Sequence, residues 1–376
     1  MDVLVVNAGS SSVKVVLFDA DLVRRGAAAV TGIGGAAQIG GVPCVAPDHQ
    51  SALSLCLAEM GLRPGALAAA AHRVVHGGPD LRAPCRVTPE VEARIAACVP
   101  LAPLHNPANL AAIRALAGLA PGLPHYASFD TAFHATNPEV ALRYALPPGA
   151  EALGLRRYGF HGISYASIVA RWPGLTGGPL PRRLLALHLG NGASACAIRD
   201  GVSVATTMGY TPLDGLTMGT RTGGIDGNAV LRLAEVHGLA GAARILNRES
   251  GLLGLAGASD MRVLHAAGTD AARFAVAHFC YWAVRHAGSM IAAMGGLDAV
   301  AFTGGIGEND AVVRAEIMAG LEWAGLRFDA GANRGAAARL DGDASDVAVW
   351  VVPADEERHI AAEALDLIRS APGGEP

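Results

Sequence analysis

The stretch from Val3 to Asp19 constrains the fold more than any other part of the chain. Two β-branched apolar runs, Val3-Leu-Val-Val6 and Val13 to Phe18, flank a turn built from Asn7, Gly9 and three serines. That pattern predicts a hairpin of two buried strands. Gly9 lets backbone approach a ligand, and Ser10, Ser11 and Ser12 offer hydroxyl donors beside it, which is the make-up of a phosphate cradle. Lys14, just past the turn, is the only lysine in the chain; every other Lys or Arg position is an arginine. A compact ammonium kept where arginine is otherwise used points to a site that wants a point charge, the competing reading being a solvated strand-end cation. The same lysine excludes the common phosphate-binding layouts. A Walker A loop needs Gly-Lys-Ser/Thr, whereas Lys14 precedes Val15, and no protein-kinase set of strand Lys, catalytic-loop Asp and Asp-Phe-Gly is assembled.

A chain of 376 residues is too long for one ordinary core and predicts two domains. With 51% hydrophobic and 16% charged residues it is a folded, not a disordered, sequence. A net charge of −4 gives no reason to expect nucleic acid or an anionic membrane as partner. The six cysteines are scattered without a Cys-x-x-Cys pair, so neither a zinc ribbon nor a redox motif is expected. There is no basic leader before the first strand, and the longest uncharged stretch, 95–113, is broken by Pro100, Pro103 and Pro107. The expected location is therefore cytoplasmic.

Along the chain, Gly32-x-Gly34-x-x-Ala37 formally matches a dinucleotide fingerprint. Pro43 and Pro47 follow where a helix should, and no acid sits about 20 residues on, so a turn-rich hairpin is the better reading. Residues 68–78 read as an inner strand running into His72-Arg73-Val-Val75-His76-Gly-Gly. Thr88-Pro89-Glu90 and Asn106-Pro107 start helices, and a strand over 125–129 delivers Asp130. Near residue 150 the pattern restarts. A helix follows Arg157-Tyr-Gly-Phe160-His161-Gly, and 184–197 form a second strand–Gly turn–strand unit around Gly190-Asn191-Gly192. Residues 208–227 carry no periodicity and are dense in Gly and Thr, a mark of function inside a compact domain. A long helix over 270–294, a strand ending in Gly304-Gly305-Ile306-Gly-Glu-Asn309, a strand over 347–352 and a C-terminal helix complete the chain.

Three Gly-rich turns at strand ends point to phosphate. Arg73 and Arg221, in Gly-rich surroundings poor in charge, are suited to grip carboxylate or phosphate. Asp130 and Glu356 lie just past strand ends, where acids can hold Mg²⁺ or simply cap a helix. His161 and His188 read equally as structural or catalytic.

Taken together, the motifs resemble the acetate kinase family. The matching stretches are Asn7 to Lys14, His72 to Gly78, Leu101 to Pro107, Phe129 to His134, Arg157 to Gly162, His188 to Gly192, Met218 to Arg221, Ser250 to Gly254, Gly304 to Asn309 and Asp355 to Glu357, in family order over nearly the whole chain. The resemblance implies an α/β fold of duplicated actin-like (ribonuclease H-like) domains with a central cleft. An N-terminal domain would span 1–148, with the helix of 356–376 packing back on it, and a nucleotide-binding domain would span 149–355. It implies Mg²⁺-dependent (alternatively Mn²⁺-dependent), reversible transfer of the ATP γ-phosphoryl group to acetate, giving acetyl phosphate and ADP, in a homodimer.

Carried over by residue, Arg73, Asp130, His161 and Arg221 would be catalytic, and Asn7 and Glu356 would hold the metal. Ser10, Ser12, Lys14, His188, Asn191 and Gly192 would meet the nucleotide phosphates. Asp260, Met261, Arg262, Gly305, Ile306 and Asn309 would form the adenosine pocket. Arg73 would also bind acetate, whose methyl group would meet Val75, Leu104, Phe160 and Pro212. Two departures stand out: Tyr165 replaces a histidine that the family often has, and Met261 replaces a common aromatic. The alternatives are a propionate or butyrate kinase of the same superfamily, a non-catalytic actin-type ATPase, and an NAD-binding oxidoreductase built on Gly32 to Ala37. The two arginines argue against the second, and the missing helix and acid argue against the third.

Overall fold

The computed structural model describes residues 1–371. The chain divides into two compact units, one of residues 1–133 with the segment from Asp355 onward, the other His134–Ala354. Each is built on one sheet.

In the first unit, β1 (Val3–Gly9), β2 (Ser12–Phe18) and β3 (Arg24–Thr31) run antiparallel as a meander. The short β4 (Gln38–Ile39) and β5 (Val42–Pro43) extend it at one edge. The Gly32–Ala37 stretch is thus the approach to a hairpin, and the dinucleotide reading falls. On the other side, β6 (Ala69–Val74) pairs parallel with β1, and β8 (His125–Phe129) parallel with β6, after the edge strand β7 (Cys85–Arg86). Val3 to Val6 and all of β8 are buried, as expected for strands covered on both faces.

The second unit repeats this order. Strands β9 (Arg183–Leu189), β10 (Ala193–Arg199) and β11 (Val202–Thr206) form an antiparallel meander. Then β12 (Ala299–Thr303) pairs parallel with β9, and β13 (Ala348–Val351) parallel with β12. Leaving out the two-residue strands β4, β5 and β7, both sheets share the spatial order third–second–first–fourth–fifth with the same strand directions, the ribonuclease H-like order that an actin-like duplication requires. The repeat that is faint in sequence is plain in topology.

Helix signals place the site's supports. Thr88 caps Pro89–Ala97 through the Val91 amide, with Pro at the first position, as the Thr-Pro-Glu spacing predicts. The helix Asp270–Met294 is capped by Thr269 and buries ten residues along one stripe. The helix Glu356–Arg369 covers the sheet of the first unit. Strand β3 escapes the sequence reading because Arg24-Arg-Gly-Ala-Ala-Ala-Val-Thr31 lacks both alternation and a β-branched run. The helix Gly227–Arg248 is interrupted at Gly238, at φ 71°. No helix among the described residues is long and apolar enough to cross a membrane.

Burial has a pH consequence. It pushes His76 and His134 down to about 4 from an ordinary 6.5. A group whose folded value lies below its unfolded one contributes stability above the unfolded value and loses it as pH falls. The urea midpoint is therefore expected to drop between pH 6.5 and 4; a flat midpoint over that window would contradict this.

Candidate active site

In the first unit the site is assembled around Arg73. It sits on β6, where the parallel pairing sets it beside Ser128 of β8, and Asp130 follows β8 directly. Its guanidinium grips Asp130 with two bonds, Nε to Oδ1 at 3.1 Å and Nη2 to Oδ2 at 2.7 Å. A Glu356 carboxylate oxygen lies 4.0 Å from Arg73 Nε. Burial works against the guanidinium charge, but Asp130, Glu356 and Glu357 outweigh it and raise Arg73 above its ordinary value. Burial pushes Asp130 up while Arg73 pulls it back.

The loop after β6 is pinned by neighbours. Val75 and His76 amides donate to Asn109 and Asn106 side chains at 3.1 Å each, and Gly77 donates to the Thr131 hydroxyl at 3.1 Å. A β-carbon on Gly77 would lie 2.3 Å from the Leu81 carbonyl oxygen, so this turn requires glycine.

The opening hairpin places Asn7 opposite Lys14 across β1 and β2. Ser10 and Lys14 are exposed, and Ser12 is half-buried. Lys14 Nζ reaches Glu357 Oε1 at 2.5 Å, so the lone lysine anchors the first turn of the Glu356–Arg369 helix. Val75 is buried, whereas Leu104 is 45% exposed.

In the second unit, Arg221, His161, His188 and Gly192 come together. Arg221 belongs to the segment 207–226, which is free of helix and strand as expected. Its Nη1 donates to the Pro212 carbonyl at 2.6 Å. Burial lowers its proton affinity, and among the described residues no carboxylate pairs with it. A β-carbon on Gly192 would lie 2.6 Å from Arg221 Nη2 and 3.3 Å from His161 Nε2, which sets both groups against the β9–β10 turn. The His161 and His188 rings stack 4.1 Å apart, a separation at which two imidazolium charges would repel strongly. His161 caps the helix Gly162–Thr176 in the left-handed region at φ 58°, an uncommon conformation for a non-glycine residue and a strained one. Phe160 is buried and Pro212 half-buried.

A cavity of about 770 Å³ in the same unit is lined by Asn191, Asp260, Met261, Arg262, Gly305, Ile306 and Asn309, all sequence candidates, joined by Gly190, Ser259, His265 and Asp310. Asp260 is bonded to Arg262 and held down to about 2 mainly by that side chain, so the pair forms an ionised rim. Gly304, at φ 78°, could not carry a side chain, because a β-carbon there would lie 2.7 Å from the Leu189 carbonyl oxygen. The Gly304 amide does not point at a ligand, as the strand–Gly–helix pattern predicts for such turns; Glu308 Oε1 accepts it at 3.0 Å.

Several supports are invisible to sequence reasoning. Arg314 is 1% exposed and donates to the Gly307 and Glu308 carbonyls at 3.0 and 2.7 Å and to Asn333, tying down the 304–309 segment. Asn106 and Asn109 could have been suspected, being polar residues on an otherwise apolar helix. Gly192→Ala is expected to lower activity about a hundredfold by displacing Arg221, with little change in melting temperature. Unchanged kinetics would show that the turn has room to spare.

Residues 2–362 match the model of the acetokinase family. The acetate kinase of Methylocella silvestris is 42% identical, the match covering 97% of this chain and 98% of that one. The crystal structure of Porphyromonas gingivalis acetate kinase superposes with a TM-score of 0.88 at 36% identity, covering 98% and 99% of the two chains. A propionate kinase from Francisella tularensis superposes with a TM-score of 0.90 at 32% identity, covering 96% and 98%.

Proposed function

The chain belongs to the acetokinase family, and from that premise we propose how its residues serve the reaction. The enzyme is an acetate kinase that phosphorylates acetate with ATP as co-substrate, reversibly giving acetyl phosphate and ADP.

The observation that carries the site reading is Arg221, a guanidinium withdrawn from water, with no carboxylate partner among the described residues, beside a Gly turn and an imidazole. A substrate anion completes such a group. Acetate is already ionised at pH 7, so no general base is needed. The demand is for positioning and for neutralising charge on the transferring group. Arg221 and His161 Nε2 stabilise that group's oxygens. For the phosphates the candidates are Asn191, Gly192 and His188 in the second unit and Ser10, Ser12 and Lys14 in the first. The 770 Å³ cavity, with Met261 on its wall, takes adenosine. Arg73 binds the acetate carboxylate, and Asp130 holds Arg73 in place. For the methyl group the candidates are Val75 and Leu104 in the first unit and Phe160 and Pro212 in the second.

Glu356 and Asn7 offer a carboxylate and an amide oxygen, hard donors that suit Mg²⁺. Such an ion is typically held by one or two protein ligands together with phosphate oxygens and water. When bound, Mg²⁺ or Mn²⁺ would neutralise phosphate charge. We also propose a cytoplasmic homodimer, tested by light scattering against the 38.2 kDa chain mass. The sequence boundary at 148/149 stands as a proposal for where the repeat restarts.

Trapping acyl phosphate with hydroxylamine, given ATP, Mg²⁺ and acetate, propionate or butyrate in turn, tests the reading. Hydroxamate is expected with acetate, less with propionate and least with butyrate, since one methylene discriminates by only about 1–3 kcal/mol. No hydroxamate with any acid would overturn it. The likeness to a propionate kinase keeps preference for propionate as the second reading. Lys14→Arg is expected to raise the KM for ATP; unchanged kinetics would make the lone lysine a matter of composition.

A further inference from the structure

We propose that Tyr165 and Ser194 form a hydrogen-bond relay that holds His161 as the neutral tautomer protonated on Nε2, the nitrogen beside Arg221 and Gly192. The relay is a set of positioning residues, and it rests on the phosphoryl-transfer reading for its purpose but not for its existence.

Tyr165 lies one turn along the helix that His161 begins, and its side chain is fully buried. Its hydroxyl meets Ser194 Oγ, and Ser194 Oγ meets His161 Nδ1 at 2.9 Å. Ser194 is itself fully buried on β10, directly opposite His188 of β9. Two protons and three heteroatoms leave few arrangements. Burial pushes the Tyr165 phenol well above its ordinary value, so the hydroxyl keeps its proton at neutral pH. A phenol is a stronger hydrogen-bond donor than an alcohol, and the partners of Ser194 Oγ are the Tyr165 hydroxyl and His161 Nδ1. The phenol therefore gives its hydrogen to Ser194 Oγ. Among the described residues the other partner of Ser194 Oγ is His161 Nδ1, so the serine hydrogen goes there rather than being left buried and unpaired. An imidazole that accepts at Nδ1 while neutral carries its proton on Nε2.

A second set of contacts locks the same imidazole from its backbone side. His134 Nε2 meets the Phe160 carbonyl at 2.9 Å, and His134 Nδ1 meets Ser203 Oγ at 2.9 Å. The His134 ring sits edge-on to Tyr165, with centroids 5.7 Å apart. The peptide leading into the left-handed His161 is thus gripped from the same cluster that orders its side chain. The consequence is chemical. Beside a guanidinium, a neutral Nε2–H offers a directed hydrogen bond without adding a second cation, and its orientation is set before substrate arrives. Tyr165 supplies what a second imidazole could supply only with a tautomer of its own to settle.

Long-range ¹H–¹⁵N spectra of ¹⁵N-histidine-labelled protein test this, with the His161 signal assigned by its loss in His161→Gln. The wild type is expected to show one His161 tautomer, with Nδ1 unprotonated. Tyr165→Phe and Ser194→Ala are expected to show a mixture, and Tyr165→Phe is expected to lower kcat about tenfold with KM values within twofold. The ring of Tyr165→Phe fills the same space, and circular dichroism checks that both variants fold. A single, unchanged tautomer in both folded variants would overturn the proposal. The spectra need no turnover, so failure of the relay and failure of the kinase reading are read separately.

Discussion

Arg221→Ala is expected to lower kcat by about a thousandfold, the low end of what a transition-state arginine contributes in phosphoryl transfer. Among the described residues the side chain has one hydrogen bond, to the Pro212 carbonyl, and no acidic partner. Its removal should therefore cost little stability, about 1 kcal/mol for the lost bond. The charge it withdraws from water has no structural purpose of equal size, so the loss should appear almost entirely in the chemical step. Arg221→Lys keeps a charge but not the planar fork, and is expected to recover only part of the rate. Single-turnover kinetics with ATP and acetate, alongside a thermal melt, separate these effects. A variant with near-normal kcat would remove Arg221 from the reaction.

Asp130→Ala is expected to fail in the opposite manner, through stability as well as rate. Asp130 is nearly inaccessible, and Arg73 shows 22% side-chain exposure. Removing one partner of a buried pair leaves the other uncompensated, at about 3–5 kcal/mol. The lower figure is expected here, because Arg73 keeps some water and Glu356 at 4.0 Å offers partial compensation. Guanidinium-chloride unfolding should show the loss, and kcat/KM for acetate should fall with it, because the fork of Arg73 is no longer aimed. Arg73→Ala in the same background should add little, since the two residues act as one unit. Additive losses in the double variant would show that they act separately.

The fold was legible wherever one local signal dominated. The hairpin of β1 and β2 and the helix Asp270–Met294 announce themselves by β-branched runs or capped periodicity. Strand β3 is alanine-rich and is specified by its pairing with β2, a tertiary choice that no local pattern encodes. The adenosine-pocket candidates fell together around one cavity because they sit at strand ends and helix caps, where turn chemistry is readable. Arg314 gave no such sign: an arginine in mid-helix reads as solvated until its carbonyl partners are seen. The bond between Ser194 and His161 was equally hidden, since it joins residues 33 apart. The sequence around Lys14 reads as a phosphate contact, whereas in the structure the ammonium pairs with Glu357, so its bearing on the nucleotide stands as a proposal.

The most direct test of the central claim runs the reaction in reverse. Purified enzyme given acetyl phosphate, ADP and Mg²⁺, coupled to luciferase, should make ATP and release an equal amount of acetate, and Arg221→Ala should make about a thousandth as much in the same time. Wild-type protein that binds ADP but makes no ATP from acetyl phosphate would contradict the account.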